Sequence, residues 1–144
     1  MTVPPPTSVR RAAVLVALEG ATGVLAAIVY VVSGIRGGDE PGLNMFGTAG
    51  WFVIFGGAVL AAGWALWTGH RWGRGVAVFA QLLLLPVAWY LGVGSGRLIY
   101  GIGLAIVAIV TLALLFSPSA VRWLSGAHDS GGSARADNSG PDTR

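Results

Sequence analysis

The chain has no cysteine and no lysine, and only 10% of its 144 residues are charged. Soluble domains carry roughly 25% charged residues, so a large polar surface is missing. Without cysteine there are no disulfides, no thiolate metal sites and no cysteine nucleophile. All nine basic residues are arginine, and they are scattered along the chain. Nucleic-acid binding needs basic residues gathered on one face, so no nucleic-acid partner is expected. His70 and His128 are far apart and have no other soft ligands near them in sequence, so no metal site is expected. The chain has no P-loop, no Ser/His/Asp set and no paired carboxylates at membrane depth. Gly92, Gly94 and Gly96 follow no strand and do not form a dinucleotide fingerprint. The expectation is a protein that is not an enzyme and carries no cofactor.

What the chain has in quantity is apolar sequence, at 54% of all residues. A protein this small leaves much of its surface exposed, so that composition requires lipid as the solvent. A membrane-spanning helix needs about 20 mostly apolar residues. Four runs qualify, at about 12–32, 48–67, 76–94 and 98–116. None alternates polar with apolar, and each is about twice the length of a membrane strand. The fold class expected is an all-α membrane protein, with four transmembrane helices in an up-down-up-down bundle. Residues 1–11, with Pro4, Pro5 and Pro6, read as a mobile tail, 117–124 as a juxtamembrane segment, and 125–144 as a disordered tail. Arg10 and Arg11 precede the first run as they would in a secretion signal. The run is too long for a signal core and lacks a small-residue cleavage site, so it reads as a retained helix.

Arginine asymmetry sets the expected orientation. With the N-terminus inside, Arg10, Arg11, Arg71, Arg74 and Arg122 face the cytoplasm, and Arg36 and Arg97 face outward. The expected location is a bacterial plasma membrane, multi-pass, with both termini cytoplasmic. Trp67, Trp72 and Trp123 mark the inner boundary; Tyr30, Trp51, Tyr90 and Tyr100 mark the outer one. The short connection from Gly94 to Arg97 makes the last two spans a hairpin, and Pro86 predicts a kink in the third.

Glu19 is the most informative residue. A carboxylate inside a bilayer costs several kcal/mol, so it turns toward partners rather than lipid. At about 1.5 Å per residue, Glu19 lies roughly 10 Å inside its span, and Gln81 and Thr111 each lie roughly 7 Å inside theirs. All three fall in one layer of the cytoplasmic half, with Trp64 somewhat shallower and able to offer its indole N–H. In one reading the cluster is a protonatable site coupling protons to a solute. In another it is hydrogen-bonded glue between helices, and in a third it contacts another subunit. Small residues share the face of Glu19 (Ala12, Gly23, Ala26) and recur on span two (Gly56, Gly57, Gly63, Ala58, Ala62) and span four (Gly101, Ala105, Ala108). They suit close packing within the bundle, or a dimer face. Arg71, Trp72 and Arg74 sit in the connection between spans two and three, as lipid-headgroup contacts or as simple topology determinants.

The run from Trp64 to Ala88, which includes Thr68-Gly69-His70-Arg71-Trp72-Gly73-Arg74-Gly75, resembles small four-helix integral membrane proteins of actinobacteria, a family of unknown function. The arginine-only basic usage and the wealth of Ala and Gly resemble proteins of high-GC genomes. The resemblance covers roughly Arg10 to Trp123 and implies a fold and a location, without catalytic residues. Glu19 also resembles the first-span glutamate of small multidrug exporters, which are short four-helix proteins working as dimers. The chain departs from that pattern in its long 33–47 loop, in Gln81 and Pro86, and in its polar tail. The functional expectation is a non-enzymatic accessory or structural subunit of the membrane. The alternative is a small proton-coupled transporter using Glu19. Expected partners are the lipid bilayer and either another membrane protein or a second copy of the chain.

Overall fold

The computed structural model describes residues 4–38, 41–42 and 44–123. It contains helices α1 (Thr7–Ile35), α2 (Met45–Trp67), α3 (Arg71–Trp89) and α4 (Leu98–Leu115), with a π-helical turn at Tyr90–Gly94. Residues 118–123 form a further short helical piece. No strand occurs among the described residues. All four main helices are long and apolar enough to cross a membrane. The protein is therefore a multi-pass integral membrane protein. The expected tail 125–144 lies outside the described residues, as do Asp39 and Glu40 of the first connection.

Three helices begin earlier than the apolar runs, each directly after an extended residue: Pro6, Asn44 and His70. Pro6 is extended (φ −60°, ψ 156°) and its carbonyl accepts the Arg10 N–H at 3.1 Å, so α1 starts at Thr7. The expected tail 1–11 is corrected accordingly: its last five residues are the first turn of a helix. Helix α2 starts at Met45 because the Asn44 side chain accepts the Gly47 N–H at 2.9 Å, satisfying an orphan donor. Helix α3 starts at Arg71 because Gly69 adopts φ 82° and reverses the chain ahead of it. His70 then bonds through Nδ1 to Thr68 Oγ1 at 2.7 Å. Polar residues at these helix starts, such as Thr7, Arg10, Arg11, Asn44, Arg71 and Arg74, fall outside an apolar run, which is why hydropathy alone places the starts too late. With 29 residues, α1 is about 43 Å long. It exceeds the roughly 30 Å hydrocarbon layer, so it either tilts or extends into the headgroups.

At the other end of α3, Pro86 lies inside the helix and the π-helical turn begins four residues later. The turn closes when Ser95 N–H and Arg97 N–H donate to Tyr90 O and Leu91 O, each at 3.0 Å. The chain then enters α4 directly.

Helix α1 packs on α2 and α4, and α3 packs on α2 and α4. Each of these pairs is antiparallel by its contacts: Gly63 meets Ala17 while Gly34 meets Phe46, Gly73 meets Ala65, Gly101 meets Ala88 while Arg74 covers Phe116, and Ser8 meets Ser119. The start of α1 thus gathers with the ends of α2 and α4 and the start of α3. Five arginines collect there: Arg10, Arg11, Arg71, Arg74 and Arg122. Below, this is the basic end.

The core is built of small residues. Ala12, Ala13, Val16, Val59, Ala62, Leu66, Ala77, Ala80 and Leu115 form one buried cluster. The large side chains point the other way: Ile99 is 84% exposed, Ile35 73% and Ile54 70%. In water this would be an inside-out protein. In lipid, apolar chains face the solvent and small residues let helices approach. The closest approach is between α1 and α2. A Cβ at Gly20 would overlap the Leu60 backbone, one at Gly56 would lie 2.8 Å from Val24 N, and one at Gly63 would lie 2.8 Å from Ala17 N.

Candidate functional site

Glu19 sits about 18 Å along α1 from Thr7, and Gln81 about 15 Å along α3 from Arg71. The longer helices place both nearer mid-membrane than the apolar runs imply. The Gln81 Nε2 amide donates to Glu19 Oε2, joining α1 and α3, which face each other across the packed pairs α1–α2, α2–α3, α3–α4 and α1–α4. Helix phase explains the meeting. Ala12, Val16 and Gly20 of α1, and Ala77 and Ala80 of α3, are buried. Glu19 and Gln81 each lie next to those stripes, so both side chains turn toward the interior. Gln81 is completely buried and Glu19 partly so.

Half of the pair is unsatisfied. Glu19 Oε1 and Gln81 Oε1 are buried and have no hydrogen-bond partner. A carboxylate is acceptor-only and the amide oxygen is also an acceptor, so these two atoms cannot bond to each other while Glu19 is ionised. A protonated Glu19 carries an O–H, and that donor is what the Gln81 oxygen lacks. Protonation of Glu19 would therefore bring a donor into a site that otherwise holds two unpartnered acceptors.

Thr111 is also completely buried, but its hydroxyl has no partner. It lies about 6 Å from the end of α4 and makes no hydrogen bond to Glu19 or Gln81. Trp64 does not join them. It is 71% exposed, on the lipid-facing side of α2. Its neighbours Ala62, Gly63, Ala65 and Leu66 occupy the buried arc of the helix, and at 3.6 residues per turn position 64 falls outside that arc. Its indole N–H is therefore not available to the polar layer.

At the basic end, Arg71, Trp72 and Arg74 lie on the first turn of α3 and not in a loop. Trp72 is 54% exposed, as an interfacial ring should be. Arg74 is partly buried, with its guanidinium 5.0 Å above the Phe116 ring. A matching pair stands on the neighbouring helices: Arg10 lies 5.0 Å above Trp67. Such contacts hold a cation against an apolar surface at the membrane boundary.

Among the small residues, Ala12, Gly56, Gly63, Gly101 and Ala108 are buried within the chain. Gly57 is open, with nothing near its Cβ position, and Ala58 is exposed. Gly20 is the residue that reading the spacing missed. It lies beside Glu19, four residues after Val16, and that interval pointed to it. The chain matches no protein-family model, no curated protein and no solved structure.

Proposed function

We propose that the protein is a non-enzymatic accessory or structural component of a bacterial plasma membrane, with both termini cytoplasmic. The carrying observation is that its one described acidic side chain, Glu19, is engaged inside the chain by Gln81 rather than presented in a site with several convergent groups. An interhelical bond of this type contributes only about 0.6 kcal/mol on average. Its larger effect is to avoid leaving a carboxyl facing lipid. This fits glue that sets the rotation of α1 and α3. The orientation rests on the five arginines at one end, and the resemblance to small actinobacterial four-helix proteins belongs to the same proposal. An accessory protein needs neighbours, so crosslinking in native membranes followed by affinity capture is the direct test. Recovery of a reproducible membrane partner, lost when the chain is overloaded, is the expected result. Reporter fusions after Arg36 and Arg97 should read outside and one after Arg74 inside; an inner location for Arg36 would overturn the orientation.

A second reading, a small proton-coupled transporter, is favoured by one observation: Glu19 Oε1 and Gln81 Oε1 are both left without a partner. A proton taken up by Glu19 would join them, so protonation would alter the α1–α3 contact. Glu19→Gln keeps the amide-type bond but cannot titrate. Proton release measured on solute addition to proteoliposomes, abolished by Glu19→Gln, would favour transport over glue.

A further inference from the structure

Between α1 and α4, at the basic end, the helices leave an open groove of about 630 Å³, within the range of small-molecule sites. Its walls are apolar: Val14 and Leu15 from α1, Val110 and Leu114 from α4. Arg10 and Arg11 stand at its mouth, with Trp67 beside them. The lining thus changes along α1 from cationic to aliphatic within two turns. We propose that this groove binds one anionic glycerophospholipid, with its phosphate against Arg10 and Arg11 and an acyl chain along Val14, Leu15, Val110 and Leu114.

Three observations select this occupant. First, charge complements it. Glu19 is the only acidic side chain among the described residues, and it lies beyond Leu15, so no described carboxylate neutralises the groove mouth. Second, one of the arginines is held in place. Arg10 is fixed over the Trp67 ring at 5.0 Å, and Ser8 is bonded to Ser119 at 2.8 Å, tying the first turn of α1 to the segment after α4. Third, depth agrees. Arg10 and Arg11 are charged and exposed, and a charge is costly in hydrocarbon, so the first turn of α1 belongs at headgroup level with Val14 and Leu15 one turn deeper, at acyl depth. A soluble anion would gain nothing from the aliphatic walls, and an uncharged lipid nothing from the arginines. An anionic lipid matches both.

The test is native mass spectrometry of the full chain, released from phosphatidylcholine bilayers containing a minor fraction of phosphatidylglycerol. The wild type should retain one phosphatidylglycerol in preference to phosphatidylcholine. Each arginine near an anionic headgroup contributes about a fivefold factor, so Arg10→Gln with Arg11→Gln should lower that retention roughly thirtyfold. Val110→Trp, which fills the groove from an exposed position and leaves both arginines intact, should also abolish it. Arg71→Gln with Arg74→Gln should leave it unchanged. Chain-free glycerol phosphate should not displace the lipid. Equal retention of both lipids, an equal loss in the Arg71/Arg74 variant, or displacement by glycerol phosphate would each overturn the proposal. So would a gain of lipid when Asp129, Asp137 and Asp142 are neutralised, because that would make the chain's own C-terminal segment the occupant.

Discussion

Helix α1 has two neighbours and meets them in different ways. Against α2 it presents Gly20 and Gly23 to Gly56 and Leu60, and the backbones come so close that no Cβ fits at Gly20 or Gly56. Against α4 it presents Val14 and Leu15, and a groove remains. Both contacts are apolar, and hydropathy alone would not have made α2 the closer partner: its mean hydropathy is 1.8 against 2.7 for α4. The difference lies in side-chain volume. In lipid there is no water to expel between helices, so association depends on how closely surfaces fit. Glycine gives close fit, whereas branched aliphatic residues facing one another hold the helices apart. The α1–α2 contact is therefore the most closely packed part of the molecule, and the α1–α4 contact is the part with room for another molecule.

The comparison breaks most sharply at Gly56. A leucine there would project into Val24 N and Gly20 O, and overpacking of this kind costs about 3 kcal/mol. Gly56→Leu should lower the thermal unfolding midpoint in detergent strongly; an unchanged midpoint would show the α1–α2 contact to be less tightly packed than described. The next largest effect is at Glu19, which ties α1 to α3 independently of either face. Glu19→Ala leaves the Gln81 amide without its acceptor and should cost about 1–2 kcal/mol. Glu19→Gln should stay within about 0.6 kcal/mol of wild type. Equal effects of the two substitutions, read by the same melts, would remove the bond as a source of stability. On α4, Thr111→Val removes a buried hydroxyl that has no partner. It should raise stability by up to about 1 kcal/mol, and a loss would reveal a bond made in the membrane. The smallest effect is the control for the first. Gly57 has nothing near its Cβ position, so Gly57→Ala should change stability by less than about 0.5 kcal/mol. A large loss would mean that this face meets a second copy of the chain.

The membrane class and the four spans were legible because each depends on local composition. The Glu19–Gln81 meeting was half legible. Similar depth on two helices made it possible, but depth says nothing about rotation, and Trp64 shows the consequence. It lies at a compatible depth and faces lipid, 71% exposed. The early start of α1 was hidden because Thr7, Arg10 and Arg11 are polar, although Pro6 ahead of them and the arginines' long apolar stems suit a helix end in headgroups.

By itself the sequence determined that this chain lives in lipid, how many times it crosses, and which few polar groups it carries into the bilayer. Those follow from transfer free energies, which add residue by residue along the chain. Only the tertiary structure decided that Glu19 meets Gln81 and not Trp64, that Gly20 is a point of closest approach, and that α1 and α4 leave a groove below Arg10 and Arg11. Helices apolar on nearly every side have no polar face to fix their rotation. Each rotation is settled by the fit of small and large side chains against all neighbours at once, and that fit exists only when the helices are together.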